Sequence, residues 1–378
     1  MFILHLFSNW KWTGPAEHAL NLCCMLKLRG HRVVFACGTP PEGDVDNIRK
    51  RAAGLGVETL DLRLRKHLNF VDNWRDVWAI SRYIMGERPD IIHVHMTNDN
   101  LLAGLSALVT RSSVPIVRTS YEGNGLKRTI RNRTLVSRLT SGLVVVSKRA
   151  GEADVENFHL SRDRVWKVDV GVDTNRFSPR KSEPQLRKTL GIGPEEVVVG
   201  VVARIQWHRR FDVFLEAFHR ASGKMPNLRA MLVGRGTNMV PVAVEPAKRM
   251  GLNGKVVFPG YKYDDEYVDA LASMDIKVFL VPGTDGSCRA VREAMAMGLP
   301  VIAARRGMLP EIVQHGENGF IVDDTPENLS EAIVKLASDE ALRRRMGVAS
   351  RQIAVERFSL DKEVKEIEAV YKSLLVKA

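Results

Sequence analysis

Asp285 and Glu293 are two carboxylates eight positions apart, and the residues around them decide what chemistry they could do. The apolar run 276–281 predicts a buried strand. Residues 282–287 predict a tight loop, and 288–297 a helix ended by Gly298 and followed by Pro300. Asp285 then stands before the helix and Glu293 about two turns inside it. The loop's backbone N–H groups point off the helix start, where the partial positive charge favours an anion. Gly286 lets a phosphate or a sugar approach the backbone, because no Cβ intervenes. A carboxylate on each side of an anion cradle suits a ligand with both phosphate and sugar hydroxyls. Asp285 would hold hydroxyls of a sugar, and Glu293 the paired hydroxyls of a ribose. Taken singly, Asp285 or Ser287 also reads as a helix cap and Glu293 as a surface acid.

A second constellation is 203–212, which follows a predicted strand and opens a helix. The guanidinium groups of Arg204 and Arg209 there would meet a diphosphate, each charge-assisted hydrogen bond contributing about 1.5–3 kcal/mol. Arg210 is the weaker candidate. The plain alternative is a basic surface loop with Trp207 packed as a lid. A third is the turn 11–17, where Gly14 would let the backbone approach a phosphate or an acceptor; an ordinary strand-to-helix turn reads nearly as well. Neither this turn nor 234–236 is a dinucleotide fingerprint, since the third glycine and the acidic residue after the second strand are missing. A fourth is His93 and His95, two apart and so on one face of a strand. A zinc site needs more ligands than are spaced nearby. Both read first as structural histidines, with His95, nearer the strand tip, second as a residue of the ligand site. Asp44 and Asp46 form a metal-type acidic string, but in a Pro/Gly-rich loop they read as solvated.

The elements that must position these residues alternate strand and helix. In the first half, 2–7, 32–37, 91–94, 114–118 and 143–146 predict strands, and 16–29, 74–86 and 101–110 helices. The stretch 171–196 holds Pro179, Pro184, Gly191, Gly193 and Pro194 and predicts a domain boundary. The cycle then restarts, with strands at 197–202, 228–233, 256–258, 276–281, 301–302 and 319–322. Helices are predicted at 211–222, 265–273, 309–314, 329–337 and 340–346, and a long amphipathic one at 360–376. The fold class is α/β: two doubly wound, Rossmann-like domains, 1–180 and 181–358, facing across a cleft, with a closing helix at 359–378. Ligands in such sheets bind beyond the carboxyl ends of the strands, where every loop singled out above falls.

The chain has 378 residues, too many for one ordinary domain, and 45% hydrophobic content, enough for real cores. Its net charge of +12 is uneven: 1–180 hold 27 basic against 18 acidic residues, and 181–378 hold 29 against 26. Within 118–149 eight basic residues face Glu122 alone. Such a field attracts phosphates on lipid head groups, acidic glycans or nucleic acid; scattered solvated charge is the equal alternative. Nucleic acid is disfavoured, because aromatic and basic residues do not interleave in one element. Cys23, Cys24, Cys37 and Cys288 show no metal spacing and read as reduced thiols, which fits a cytoplasmic setting. No stretch approaches the roughly 20 apolar residues of a membrane span.

Further pieces join the four constellations: Gly30-His31-Arg32-Val33, Asp90-Ile91-Ile92-His93-Val94-His95, Gly171-Val172-Asp173-Thr174-Asn175-Arg176-Phe177, Leu232-Val233-Gly234-Arg235-Gly236 and Phe258-Pro259-Gly260-Tyr261. In this order and spacing the chain resembles the retaining family 4 glycosyltransferases of the GT-B fold. The resemblance is strongest over 255–322, where the family's paired acidic motif and its Ala-Met-Ala-x-Gly-x-Pro-Val-Ile sequel fall on 285–302.

The resemblance implies roles. Glu293 would bind the nucleotide ribose, and Gly286, Ser287, Cys288 and Arg289 would offer amides to donor phosphate and sugar. Arg204 and Arg209, with Asp285, would form the catalytic set, the arginines neutralising the leaving diphosphate. Val257, Phe258 and Tyr261 would receive the base, with Gly14 and Gly234 also on the donor side. His95, Tyr121 and Glu122 would lie on the acceptor side, and helix 360–378 would cross back to the first domain. Neither metal nor cofactor is implied. Three departures stand out: Asp285 where Glu is usual, Arg209 where Lys is usual, and Tyr121 where many members have a His near the reacting centre. Tyrosine donates a hydrogen bond but is no base near pH 7.

The expected function is therefore glycosyl transfer from a nucleotide sugar to a hydroxyl acceptor with retained configuration. The basic first half points to a cell-envelope glycan or lipid-linked saccharide, such as a lipopolysaccharide core, reached at the inner face of an anionic membrane. The alternatives are a nucleotide-sugar epimerase of similar architecture and a non-catalytic nucleotide-sugar binding protein.

Overall fold

The computed structural model describes residues 1–44, 46–180, 184–282 and 288–377. The first half runs β1 (Phe2–Phe7), α1 (Gly14–Leu28), β2 (Arg32–Cys37), α2 (Ile48–Gly54), β3 (Glu58–Asp61), α3 (Phe70–Glu87), β4 (Ile91–Val94), α4 (Thr97–Thr110), β5 (Ile116–Ser120), α5 (Ile130–Arg138), β6 (Gly142–Val145), α6 (Lys148–Phe158) and β7 (Val165–Lys167). The second continues with α7 (Gln185–Thr189), β8 (Val197–Val202), α8 (Phe211–Lys224), β9 (Leu228–Val233), α9 (Glu245–Arg249), β10 (Val256–Gly260), α10 (Asp264–Ala272) and β11 (Ile276–Phe279). After it come α11 (Arg289–Ala296), β12 (Val301–Ala304), α12 (Leu309–Ile312), β13 (Gly319–Val322), α13 (Pro326–Ser338), α14 (Glu340–Arg357) and α15 (Leu360–Lys377).

Among the described residues the strands form two all-parallel sheets, β3-β2-β1-β4-β5-β6-β7 and β10-β9-β8-β11-β12-β13. Both reverse direction at their first strand, the doubly wound order. Helices on both faces explain why β4, β11 and β12 are buried at every position and read as apolar runs, not as alternating ones. Short polar side chains start the helices: Asn69, Ser147, Thr325 and Asp339 each accept a backbone N–H of α3, α6, α13 or α14.

Contacts divide the chain into two units, which change over at Gly171 and Val172. Residues 172–180 belong with the second unit because Arg351 Nη1 donates to the carbonyls of Thr174, Phe177 and Ala296, each at 2.8 Å. Helix α15 belongs with the first unit. Its Val364, Ile367, Val370, Tyr371 and Leu374 share a core with β1, β2 and α1. Burying such a set contributes on the order of 1.5–3 kcal/mol per side chain. Glu368 fixes the register of α15 by taking two hydrogen bonds from Arg29, at 2.7 and 2.9 Å, and one contact with His31 at 2.8 Å.

Two expectations need correction. The helix read as 340–346 runs on to Arg357. Gly347 does not end it; it lets α14 close on the turn after α11, where an added Cβ would lie 2.3 Å from the Gly298 carbonyl oxygen. Of the basic cluster 118–149, Arg118 is not on the surface. It is buried, with Nη1 donating to Asn100 and Nη2 to Thr97, both at 3.2 Å.

Candidate functional site

The loops leaving β8, β9 and β10 are laced together beyond the strand ends. Ala203 N–H donates to Val233 O at 3.1 Å, Ile205 N–H to Arg235 O at 3.1 Å, and Gly234 N–H to Gly260 O at 2.9 Å. The lacing explains two glycines. A Cβ on Gly234 would meet the Ala203 carbonyl oxygen at 2.0 Å, and one on Gly236 would meet that of Ile205 at 2.0 Å. Gly234, expected on the donor side, is required here by the backbone beside it. We expect Gly236→Ala to cost about 1–3 kcal/mol by forcing the 203–205 strip away. A thermal midpoint equal to that of the parent would show that the strip has room.

This strip carries the arginines. Buried Ile205 anchors it, and Arg204 beside it is exposed. Among the described residues no hydrogen bond or ion pair holds the Arg204 side chain. Trp207 is exposed in a short 3-10 turn, so the lid reading is not met. Arg209 closes that turn and donates from Nη1 to Val281 O at 2.8 Å, just ahead of residues 283–287. Arg210 is drawn off to Asp324, with Nη1 at 2.7 Å. Asp285, Gly286 and Ser287 lie outside the described residues.

Next to the strip, Arg235 sets its guanidinium 4.4 Å over the ring of Tyr261, which stacks on Tyr263 at 6.3 Å. These rings are 52% and 60% exposed, and half-buried Val257 and Phe258 precede them in β10. Flat rings backed by a guanidinium offer a stacking surface to a planar base.

The third part centres on Glu293. Cys288, buried and left-handed at φ +50°, caps α11, so Glu293 stands one turn inside the helix instead of two. It is only 2% exposed. Tyr267 Oη donates to its Oε2 at 2.6 Å, and Arg289 Nε lies 3.3 Å from its Oε1. Fully buried Lys277, in the middle of β11, is pushed down to about 7 by loss of solvent, with Glu293 working against that shift. Lys277 falls within the apolar run and was passed over in the sequence; a lysine inside a strand buried on both faces is its signal.

In the first unit, Gly14 opens α1 behind the Thr13 cap. His95, read as structural first and near the ligand second, is buried. It shares hydrogen bonds with Tyr121 Oη and with His5 Nδ1, each at 3.0 Å. His93 lies between Tyr371 Oη at 2.5 Å and Thr119 Oγ1 at 2.7 Å. Tyr121 is half-buried and Glu122 exposed. The sequence missed His5, because 88 residues separate it from His93 and only the pairing of β1 with β4 puts them side by side.

Ring nitrogens of His5, His93 and His95 come within 4.8 Å of one another. The rings are nevertheless stacked, His93 on His95 at 4.5 Å and 18°, so their lone pairs run side by side. Both nitrogens of His93 are also engaged. His5, His95 and Tyr121 form a hydrogen-bond chain with His93 stacked beside it, not a convergent ligand set. Burial keeps His5 neutral, lowering it to about 3, and holds His93 and His95 well below the usual range.

Unfolded His5 takes its proton near 6.5, so stability falls as pH drops from there towards 3, by up to about 1.4 kcal/mol per pH unit. Asp99 opposes this: burial raises it to about 7, so the folded carboxyl holds a proton that the unfolded one has lost. The clean readout is a difference. His5→Phe should show a shallower acid-side decline in thermal midpoint than the parent, and parallel declines would contradict a buried neutral His5.

Two doubly wound parallel α/β units are the GT-B architecture, and comparison with known proteins supplies the family. The profile of glycosyl transferases group 1 matches residues 182–353, and that of glycosyltransferase family 4 matches 12–176. The chain belongs to this glycosyltransferase family. It is 28% identical over 198 residues to the N-acetyl-alpha-D-glucosaminyl L-malate synthase of Bacillus anthracis, covering 52% of this chain. The chain spans about half the length of that relative, 50%. It is 26% identical over 336 residues to the lipopolysaccharide core biosynthesis mannosyltransferase LpsB of Rhizobium meliloti (strain 1021), covering 86% of this chain and 91% of LpsB. In fold it is similar to HepE of Anabaena, solved in complex with UDP, with a TM-score of 0.82 at 19% identity over 99% of this chain and 100% of HepE.

Proposed function

We propose that the chain is a retaining, metal-independent transferase that moves a sugar from a nucleotide-sugar donor to a hydroxyl of a cell-envelope glycan or lipid-linked saccharide, such as a lipopolysaccharide core. The observation that carries this reading is the laced strip behind β8, β9 and β10. It sets an exposed guanidinium at Arg204, a partly buried one at Arg209, and the Tyr261 and Tyr263 rings at the carboxyl ends of parallel strands.

In this reading the base stacks on Tyr261 beside Val257 and Phe258, Glu293 takes the ribose hydroxyls, and Arg204 and Arg209 face the diphosphate. Amides of 286–289 contact the donor's phosphate and sugar, Gly14 and Gly234 keep their donor-side roles, and Asp285 holds the sugar. Negative charge grows on the diphosphate as the anomeric C–O bond breaks, so fixed guanidinium groups stabilise the transition state more than the ground state. The acceptor oxygen bonds to the anomeric carbon on the face the diphosphate leaves, and its proton passes to a diphosphate oxygen. Tyr121, tied to His95, donates hydrogen bonds on the acceptor side beside Glu122. With fixed cations in place, neither metal nor cofactor is called for.

The kinship with LpsB supports the envelope acceptor, and with it a cytoplasmic setting at the inner face of the membrane. No helix among the described residues is long and apolar enough to cross a membrane. The test is nucleoside diphosphate release from a panel of nucleotide sugars, with chelator present and with or without saccharide acceptors. Release that rises with acceptor supports the reading. Epimerised free sugar, or binding without turnover, would replace it.

A further inference from the structure

Nine of the twenty large apolar side chains exposed among the described residues fall within 68–109. Helix α3 turns Val77, Ile80 and Ile84 into the core beside β1 and β4. Its opposite side carries Phe70, Val71, Trp74, Trp78 and Met85, with Phe70 87%, Trp74 72% and Trp78 60% exposed. A helix apolar on both sides, with the second open, marks an interaction surface. The acids of α3 do not offset it. Asp76 is turned inward to accept the Arg63 and Leu64 amides, buried Asp72 takes Arg65, and Glu87 at the far end pairs with Arg32.

The open side is instead basic. Arg75 and Arg82 are exposed among the rings, and the Arg82 guanidinium lies 4.7 Å over Trp78. Ser106 Oγ of α4 donates to Val77 O at 3.1 Å, which brings exposed Leu105, Leu108 and Val109 alongside. At the other end Asn73 and Asn98 bond each other, and Arg131 Nη2 reaches Asn98 Oδ1 at 3.4 Å. The start of α5 thereby adds Ile130, 87% exposed, with Lys127, Arg128 and Arg133.

We propose that this face, α3 with the flanking parts of α4 and α5, docks on an anionic lipid bilayer. Tryptophan and phenylalanine suit the boundary between head groups and acyl chains, and the interspersed arginines suit lipid phosphates. A second copy of the chain is a poorer occupant, since it would set arginine against arginine. The proposal rests on the lipid-linked reading of the acceptor and deepens it, because it brings the transferase to the surface where such an acceptor is held.

The test is co-sedimentation with phosphatidylglycerol/phosphatidylcholine vesicles and with phosphatidylcholine alone. The parent should pellet with the anionic vesicles and not with the neutral ones. Joint Trp74→Ser and Trp78→Ser should weaken that binding by about tenfold or more, and joint Arg75→Glu and Arg82→Glu should abolish the anionic preference. Both variants should keep the parent's thermal midpoint and its donor turnover in detergent-free buffer. The proposal is overturned if the parent stays in the supernatant, or if the tryptophan variant pellets as the parent does. It also falls if sedimentation equilibrium shows a dimer that the serine substitutions split. Vesicle binding with no diphosphate release from any donor would sink the transferase reading and leave the docking face standing.

Discussion

Arg204→Ala is expected to lower kcat by about 100- to 1000-fold while the protein folds as before. The folding half of this expectation rests on exposure and on the neighbours. Arg204 has no hydrogen bond or ion-pair partner among the described residues, and buried Ile205 and the 203–205 lacing keep the strip in place without it. The catalytic half rests on timing. A guanidinium fixed beside a departing diphosphate gains interaction energy as charge accumulates, so its loss falls on the chemical step more than on KM. Arg209→Ala is a poorer probe, because it also removes the bond to Val281 O. Steady-state kinetics on a purified Arg204→Ala protein with a parent-like melt decides the matter. A kcat within a few-fold of the parent would take the side chain out of the mechanism.

Glu293→Gln is expected to weaken nucleotide-donor binding by roughly 10- to 100-fold, the equivalent of about 1.4–2.7 kcal/mol. Glutamine keeps the size and one acceptor oxygen for Tyr267, so the packing of α11 should survive. The charge is lost, and the consequence reaches Lys277. Its amine, already lowered to about 7 by burial, loses the raising influence of the Glu293 charge and shifts further towards the neutral form. Shedding that proton caps the structural cost, because the lysine need not stay charged in a dry interior. Titration calorimetry with nucleoside diphosphates reads the affinity. Parent-like affinity for the glutamine protein would remove the ribose role.

Much of the architecture was open to inspection beforehand. Val197 to Val202 and Leu228 to Val233 are unbroken apolar runs because both faces of a parallel sheet are covered, and such runs announce themselves. β3 and β7 were missed. They are three or four residues long, sit at a sheet edge, and bury too little to force a pattern. The arginines and Glu293 could be picked out by type and spacing, whereas their surroundings could not. Gly234 and Gly236 carry no sign in the sequence of the Ala203 and Ile205 carbonyls that leave no room for a Cβ at either position. Tyr267 and Lys277 join Glu293 only through tertiary packing. The helix over 74–86 could be read, but not which side of it is buried: Val77, Ile80 and Ile84 turn inward, and Trp74 and Trp78 face out.

The docking of α15 has a consequence for biosynthesis. Val364 through Leu374 complete a core whose other walls include β1, β2 and α1, segments that leave the ribosome long before α15 does. Until some 330 further codons have been read, roughly half a minute at typical elongation rates, that trench has no native cover. The first unit therefore carries an uncovered apolar trench while the second unit is being translated, and its core closes only once α15 has been made.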